Sequence, residues 1–233
     1  MNLSGKSLYI GMCCYRHEMR SETCMGLMST LKGCIENDVE LYTNLFSDCP
    51  YIDLGKSLLV GDFMTAHVSD YILLVDSDMG FTFEDVRRLI EADVDIVSAS
   101  YTTRSFPVRQ ISVPAVGRGL TRCSRVPGGF LLMKRSALTR LEKSFINRGQ
   151  KRVTLLPGMD YFHFFGTSID KKTGLFLGED YSFCNNLQQA CIDAHTHFDV
   201  RVSHVGDYVF KNDQQTLAMS RMAEQYPRRS VAA

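Results

Sequence analysis

The sequence has no excess of either charge: 26 Lys and Arg stand against 26 Asp and Glu in 233 residues. A neutral chain lacks the basic field that generic nucleic-acid binding needs, which excludes nucleic acid as the main partner. Long apolar runs are missing too. The longest, such as Tyr71 to Val75, reach about five residues, far short of the roughly 18 that a membrane-spanning helix requires. Met1 to Ser7 carries a lysine, but the apolar stretch from Leu8 is interrupted by Arg16, His17 and Glu18, so no secretory leader is expected and a soluble cytoplasmic protein is. None of the eight cysteines (Cys13, Cys14, Cys24, Cys34, Cys49, Cys123, Cys184, Cys191) forms a C-x-x-C pair or fits a zinc-finger spacing. They read as reduced, mostly buried thiols. Internal repeats, low-complexity segments and linkers are also lacking. What is there, 45% hydrophobic and 22% charged residues, describes one soluble globular domain. A chain of this length buries roughly 70 to 75% of its unfolded surface and needs no staple.

Through the first hundred residues, short apolar runs alternate with amphipathic segments, the pattern of βαβ units and a mainly parallel sheet. Strands are expected at Ser7 to Met12, Glu40 to Leu45, Tyr71 to Val75 and Asp95 to Ser100. Between them, Cys24, Leu27, Met28, Leu31, Cys34 and Ile35 recur at helical spacing behind a Ser21 cap. Leu59, Val60, Phe63 and Ala66 mark a second helix. Thr82 with Asp85 resembles a capping box opening a third helix, which runs through Ile90. The second half is punctuated by Pro107, Pro114, Gly117, Gly119, Pro127, Gly128 and Gly129 before a strand at Phe130 to Lys134. A helix from about Tyr181 carries Phe183, Leu187, Ala190, Cys191 and Ala194, followed by a β-like run from Thr196 to Ser203. From Asn212 the chain reads as helical as far as Pro227, with a disordered end.

Chemistry concentrates in a few places. Leu73-Leu74-Val75-Asp76-Ser77-Asp78 is a buried strand ending in two carboxylates one residue apart, at the strand end where ligands of open α/β sheets bind. Two such acids repel unless a cation or hydroxyl groups lie between them, and hard divalent ions fit that need. Two exposed turn acids are the plain alternative. Glu179-Asp180 opens the later helix, where acids also merely offset the helix dipole. His204 falls at the end of a strand; neutral imidazole beside carboxylates suits Mn²⁺, although a lone histidine is more often structural. His195 and His197, two apart, read as a polar strand face. Ile96 to Leu141 holds eight Lys or Arg and no acid, either a site for an anion or a solvated face.

Five segments together, from about Ser7 to Phe210, resemble the GT-A glycosyltransferases of the family-2-like kind, including small viral, phage and bacterial members. They are Asp53-Leu54-Gly55-Lys56-Ser57, Tyr71 to Phe81, Pro127-Gly128-Gly129-Phe130-Leu131-Leu132-Met133-Lys134, Gly178-Glu179-Asp180-Tyr181-Ser182-Phe183-Cys184 and His204-Val205-Gly206. Relatives often carry Arg-Asn where this chain has Lys56-Ser57. The resemblance implies an α/β GT-A fold with a mixed central sheet: a nucleotide-sugar-binding half over about 1–100, an acceptor half over about 101–210, and a C-terminal helix and tail over 211–233. It implies Asp78, Asp76 and His204 as ligands of Mn²⁺ or Mg²⁺. Asp180, with Glu179 beside it, would supply the catalytic base of an inverting transfer. Cys13, Tyr15, Arg16, Lys56, Asp76, Ser77, Gly128 and Gly129 would contact a nucleoside diphosphate sugar, UDP ahead of GDP, with Tyr15 stacking on the base and Arg16 near phosphate. The acceptor would be a hydroxyl of a glycan, protein or small molecule. Two other readings stay open. One is a haloacid-dehalogenase-type phosphatase, whose D-x-D usually lies on the first strand; the other is a non-catalytic nucleotide-sugar or glycan-binding module.

Overall fold

The computed structural model of the chain describes residues 2–104, 108–154, 160–206 and 208–211. The apolar runs up to Ser100 become strands and the amphipathic segments between them helices. In order these are β1 (Ser7–Cys14), a 3₁₀ turn at Tyr15–His17, α1 (Ser21–Glu36), β2 (Glu40–Ser47), α2 (Ile52–Ala66), β3 (Tyr71–Asp76), β4 (Met79–Gly80), α3 (Phe83–Glu91) and β5 (Ile96–Ser100). Beyond them come β6 (Leu120–Cys123), β7 (Phe130–Lys134), α4 (Arg135–Asn147), β8 (Val153–Thr154), β9 (Asp160–Tyr161), β10 (Ser168–Ile169), β11 (Phe176–Leu177), α5 (Glu179–Gln189), β12 (Ala194–Arg201), β13 (Ser203–Val205) and β14 (Val209–Phe210). The proposed helix from Asn212 lies outside the described residues. Among the described residues no helix is long and apolar enough to cross a membrane.

One seven-stranded sheet runs in the order β2-β1-β3-β7-β5-β12-β6. β1 pairs in parallel with β2 and β3, as the repeating pattern predicts. The mixed character comes from the second half of the chain. β7 inserts antiparallel between β3 and β5, and β6 lies antiparallel to β12. Alternate residues feed two cores. Tyr9, Ile72, Leu74 and Met133 pack under α2, α4 and α5 through Phe63, Leu138, Leu141 and Phe183. Leu8, Ile10, Leu73 and Val75 pack on the other face, against Val86, Leu89 and Ile90 of α3. Each such side chain contributes about 1.5–3 kcal/mol on burial. The predicted capping box holds α3: the Thr82 N–H donates to Asp85 Oδ2 at 2.8 Å.

Three expectations need correction. Helix α1 forms, but it buries Thr23, Gly26, Thr30, Gly33 and Cys34, while Met28, Leu31 and Ile35 are exposed. Small residues win that face because the phenylalanines around α3 approach the helix backbone. A Cβ on Gly26 would lie 2.7 Å from the Phe81 ring, and one on Gly33 would lie 2.1 Å from Phe83. Helix α5 ends at Gln189, so Cys191 and Ala194 leave the predicted stripe; Cys191 takes φ 53 and Ala194 opens β12. Only four of the eight cysteines are fully buried, although all are free. The α4 helix escaped the sequence pattern despite the buried spacing of Ala137, Leu138, Leu141 and Phe145.

The α1 packing yields a stability prediction. Gly26→Ala gains about 1 kcal/mol of helix propensity. It also overpacks Phe81, which cannot retreat because its ring lies 4.9 Å from that of Phe130. Overpacking of this kind costs about 1–3 kcal/mol, so a net loss is expected in thermal or urea unfolding. A Gly26→Ala protein more stable than the parent would show that the contact is slack.

Candidate active site

The carboxyl ends of β1 and β3 open into a cleft of about 650 Å³. Asp76 is the last residue of β3, and Asp78 follows in the turn into β4. That turn is pinned from α1: the Arg20 N–H and Thr23 Oγ1 both donate to the Ser77 carbonyl, at 2.9 and 3.0 Å. A small sheet, β14-β13-β4, brings the last motif to the first. His204 pairs across from Met79, and the Val205 N–H donates to the Asp78 carbonyl at 2.8 Å.

This pairing leaves His204 Nε2 3.5 Å from Asp78 Oδ2. His204 Nδ1 lies 2.9 Å from the Thr102 carbonyl, which can only accept. Nδ1 therefore carries the proton, and Nε2 keeps its lone pair towards Asp78 when the ring is neutral, the arrangement typical of a metal-bound histidine. Burial alone would raise the Asp78 carboxyl, but hydrogen bonding and charge from His204, together with the Arg104 guanidinium in contact with it, hold it below its ordinary value. His204 shifts upward: burial opposes its charge, and Asp78 outweighs burial. Among the described residues no group of three or more His, Cys, Asp or Glu side chains is gathered tightly enough to hold an ion. A hard divalent ion takes one or two carboxylates and completes its shell with phosphate oxygens and water, so the Asp78–His204 pair fits one bound together with a diphosphate.

Asp76 lines the same cleft but also meets a buried lysine. Its Oδ1 lies 3.7 Å from Nζ of Lys56, a lysine on α2 whose side chain is 2% exposed. The same ammonium is 3.3 Å from Glu179 Oε1 and 3.1 Å from Asp180 Oδ1. Burial disfavours a charged lysine, yet Asp180, Asp76 and Glu179 outweigh it and hold Lys56 well above its ordinary range. Burial raises Asp76, with Lys56 opposing. Asp180 is also fixed by the Gly128 N–H, which donates to Oδ2 at 2.9 Å. Gly129 donates to the buried Tyr101 hydroxyl at 2.6 Å.

The structure thus sorts the residues singled out from sequence. Cys13, Tyr15, Asp76, Ser77, Asp78, Glu179 and His204 line the cleft. Arg16 lies over the Tyr15 ring, 5.2 Å from its centre, in a left-handed conformation at φ 55. Lys56 does not line the cleft; its buried ammonium meets three carboxylates. A Cβ on Gly128 would fall 2.0 Å from Asp180 Oδ1 and one on Gly129 2.8 Å from Asp76 Oδ2, so the close approach that these glycines permit is to the site's own acids. Sequence reasoning missed Tyr101, Arg104 and the wall formed by Cys49, Pro50 and Ile52. The position of Cys49 just past the carboxyl end of β2 was the available signal for that wall.

Half of the basic residues in the run are drawn into ion pairs. Arg104, Arg122, Lys134 and Arg140 pair with Asp78, Asp193, Asp93 and Asp95, all outside the run. Arg135 donates to the carbonyls of Phe63, His67 and Ser69. His195 and His197 alternate with buried residues along β12, on the half-exposed face that continues into Asp199 and Arg201.

No protein-family description matches the chain, and no curated protein matches it in sequence. Solved structures do resemble it. The protein A197 from STIV is 14% identical over 90% of this chain and 95% of its own, with a TM-score of 0.48. The catalytic domain of Drosophila β1,4-galactosyltransferase 7 in complex with xylobiose is 11% identical over 93% of this chain and 79% of its own, at 0.47. A mutant of that enzyme with manganese, UDP-Gal and xylobiose is 10% identical over 90% and 72%, at 0.42.

Proposed function

We propose that this chain is a divalent-metal-dependent glycosyltransferase of the GT-A kind. It would move a sugar from a nucleoside diphosphate sugar to a hydroxyl acceptor with inversion, and UDP is the preferred nucleotide. One observation carries the reading. The Asp78–His204 pair, with Nε2 turned to the carboxylate, shares a cleft at the strand ends with Glu179 of the first turn of α5, the residue next to Asp180.

Asp78 and His204 would hold Mn²⁺ or Mg²⁺, which when bound offsets charge on the departing diphosphate. Tyr15 offers a half-exposed ring to the base, and Arg16 places a cation beside it. Asp76 and Ser77 face the cleft where ribose or diphosphate would lie. Asp180 takes the acceptor proton as the hydroxyl attacks the anomeric carbon: each of its oxygens accepts one hydrogen bond in the structure, and a carboxylate oxygen has room for a second. Glu179, on the cleft wall beside it, would meet hydroxyls of the transferred sugar. The phosphatase alternative expects its D-x-D on the first strand, whereas here the motif ends β3.

Thermal unfolding in the presence of UDP, GDP, ADP and their sugars, each with and without Mn²⁺, tests the reading. Binding raises stability by RT ln(1 + [L]/Kd), about 2.7 kcal/mol at a hundredfold excess over Kd. A Mn²⁺-dependent shift with UDP or UDP-sugars, followed by sugar transfer, is expected. Nucleotide binding without any turnover would leave a binding module, and phosphate release from an aryl phosphate would indicate the phosphatase.

A further inference from the structure

Lys56 stands out chemically because a fully buried ammonium is surrounded by more negative charge than it can neutralise. Its Nζ lies 3.1 Å from Asp180 Oδ1, 3.3 Å from Glu179 Oε1 and 3.7 Å from Asp76 Oδ1. The side chain reaches this point from inside the protein. It leaves α2 in the core beneath the cleft and passes the Phe165 ring, whose centre is 6.0 Å from Nζ. With 2% of its side chain exposed, Lys56 has almost no surface to offer a ligand. What it does have is a grip on both ends of the site, the β3 terminus and the first turn of α5.

We propose that Lys56 is a positioning residue: its ammonium does not meet the donor but holds the Asp180 carboxylate, through Oδ1, in the orientation from which it receives the acceptor's proton. The geometry divides the work on Asp180 between two fixed donors. Lys56 takes Oδ1 and the Gly128 N–H takes Oδ2, so neither rotation about the carboxylate bond nor withdrawal of the side chain is open to it. Gly128 can serve only as glycine, since a Cβ there would fall 2.0 Å from Asp180 Oδ1. The two donors come from α2 and from the turn before β7. Asp180 is thus held from two elements distant in sequence, while α5 supplies only its backbone. An arginine, with a longer and planar head group, would not set the same point contact. The inference rests on the assignment of Asp180 as the base.

A double-mutant cycle tests it, comparing the parent, Lys56→Met, Asp180→Asn and the double variant in kcat, donor KM, UDP affinity with Mn²⁺ and melting temperature. Lys56→Met is expected to lose about 100-fold or more in kcat, within the range of a general base, with a much smaller loss of UDP affinity passed on through Asp76, which also meets the ammonium. In the Asp180→Asn background the same change should cost little more, because the group through which Lys56 acts is already disabled. A fall in UDP affinity matching the fall in turnover would make Lys56 a donor contact and overturn the proposal, as would losses that multiply in the double variant. If Lys56→Met does not fold, Lys56→Arg keeps the charge: UDP affinity like the parent with kcat reduced about tenfold supports positioning, and unchanged kcat refutes it. Should the parent transfer no sugar at all, the functional assignment fails separately, and the melting temperatures still judge the contact. Asp180→Asn should then recover part of the stability lost in Lys56→Met, whereas additive losses would show that the two side chains are not coupled.

Discussion

Asp180→Asn is expected to abolish sugar transfer while leaving donor affinity intact. The amide keeps the shape of the carboxylate and can still accept the Gly128 N–H at the position where Oδ2 accepts it at 2.9 Å. It cannot take the acceptor's proton. General-base catalysis is worth about 10² to 10⁴ in rate, and the loss should fall on kcat rather than on donor KM. Asp180 is favoured over Glu179 because it is oriented by two donors, Lys56 and Gly128, whereas among the described residues Glu179 accepts from the lysine alone, at 3.3 Å. Steady-state kinetics on Asp180→Asn and Glu179→Gln decide between them. Near-parental turnover in the first with collapse in the second would move the base to Glu179. The anomeric configuration of the product, read by NMR, checks inversion independently.

The second large effect is expected at Asp78. Its carboxylate lies 3.5 Å from His204 Nε2, and its backbone carbonyl anchors the Val205 N–H, a bond that substitution of the side chain leaves in place. Asp78→Ala should therefore fold, with its main structural loss confined to the contact with Arg104, a side chain 59% exposed. Loss of groups that only orient metal ligands costs about 10- to 100-fold in affinity, so removal of a direct ligand should weaken Mn²⁺-dependent UDP binding by about 100-fold or more. Calorimetric titration of UDP with and without Mn²⁺ reads this directly. Unchanged metal dependence in the variant would falsify the assignment of Asp78.

Much of the candidate site was legible because its residues lie where the pattern changes. Asp76 and Asp78 stand at the abrupt end of an apolar run, Glu179 and Asp180 at the opening of an amphipathic one, and His204 just past the run that becomes β12. Strand ends of a sheet core and helix N-termini can be read locally, since burial on two faces demands an unbroken apolar segment and the first turn of a helix tolerates acids. The chemistry of Lys56 was not legible in the same way. In sequence it is a lysine in an amphipathic helix, and lysines are almost never fully buried unless paired. Its partners lie 20, 123 and 124 positions away, and no local pattern announces them.

By itself, the sequence determined the alternation of strands and helices through Ser100, the parallel core of β2, β1 and β3, the capping box of α3 and the placing of acids at element ends. Each of these follows from short-range physics: apolar periodicity, capping and the backbone demands of an extended strand. Tertiary structure alone decided the rest. Which face of α1 is buried depends on whether Phe81 and Phe83 approach its backbone, and two glycines outweigh the more apolar stripe because they permit that approach. The insertion of β7 between β3 and β5 is a matter of strand pairing, to which hydrophobic periodicity is blind. The ionic state of Lys56 is likewise set by charges that meet only after folding. Burial alone would lower its affinity for the proton, and three carboxylates from two distant segments outweigh that.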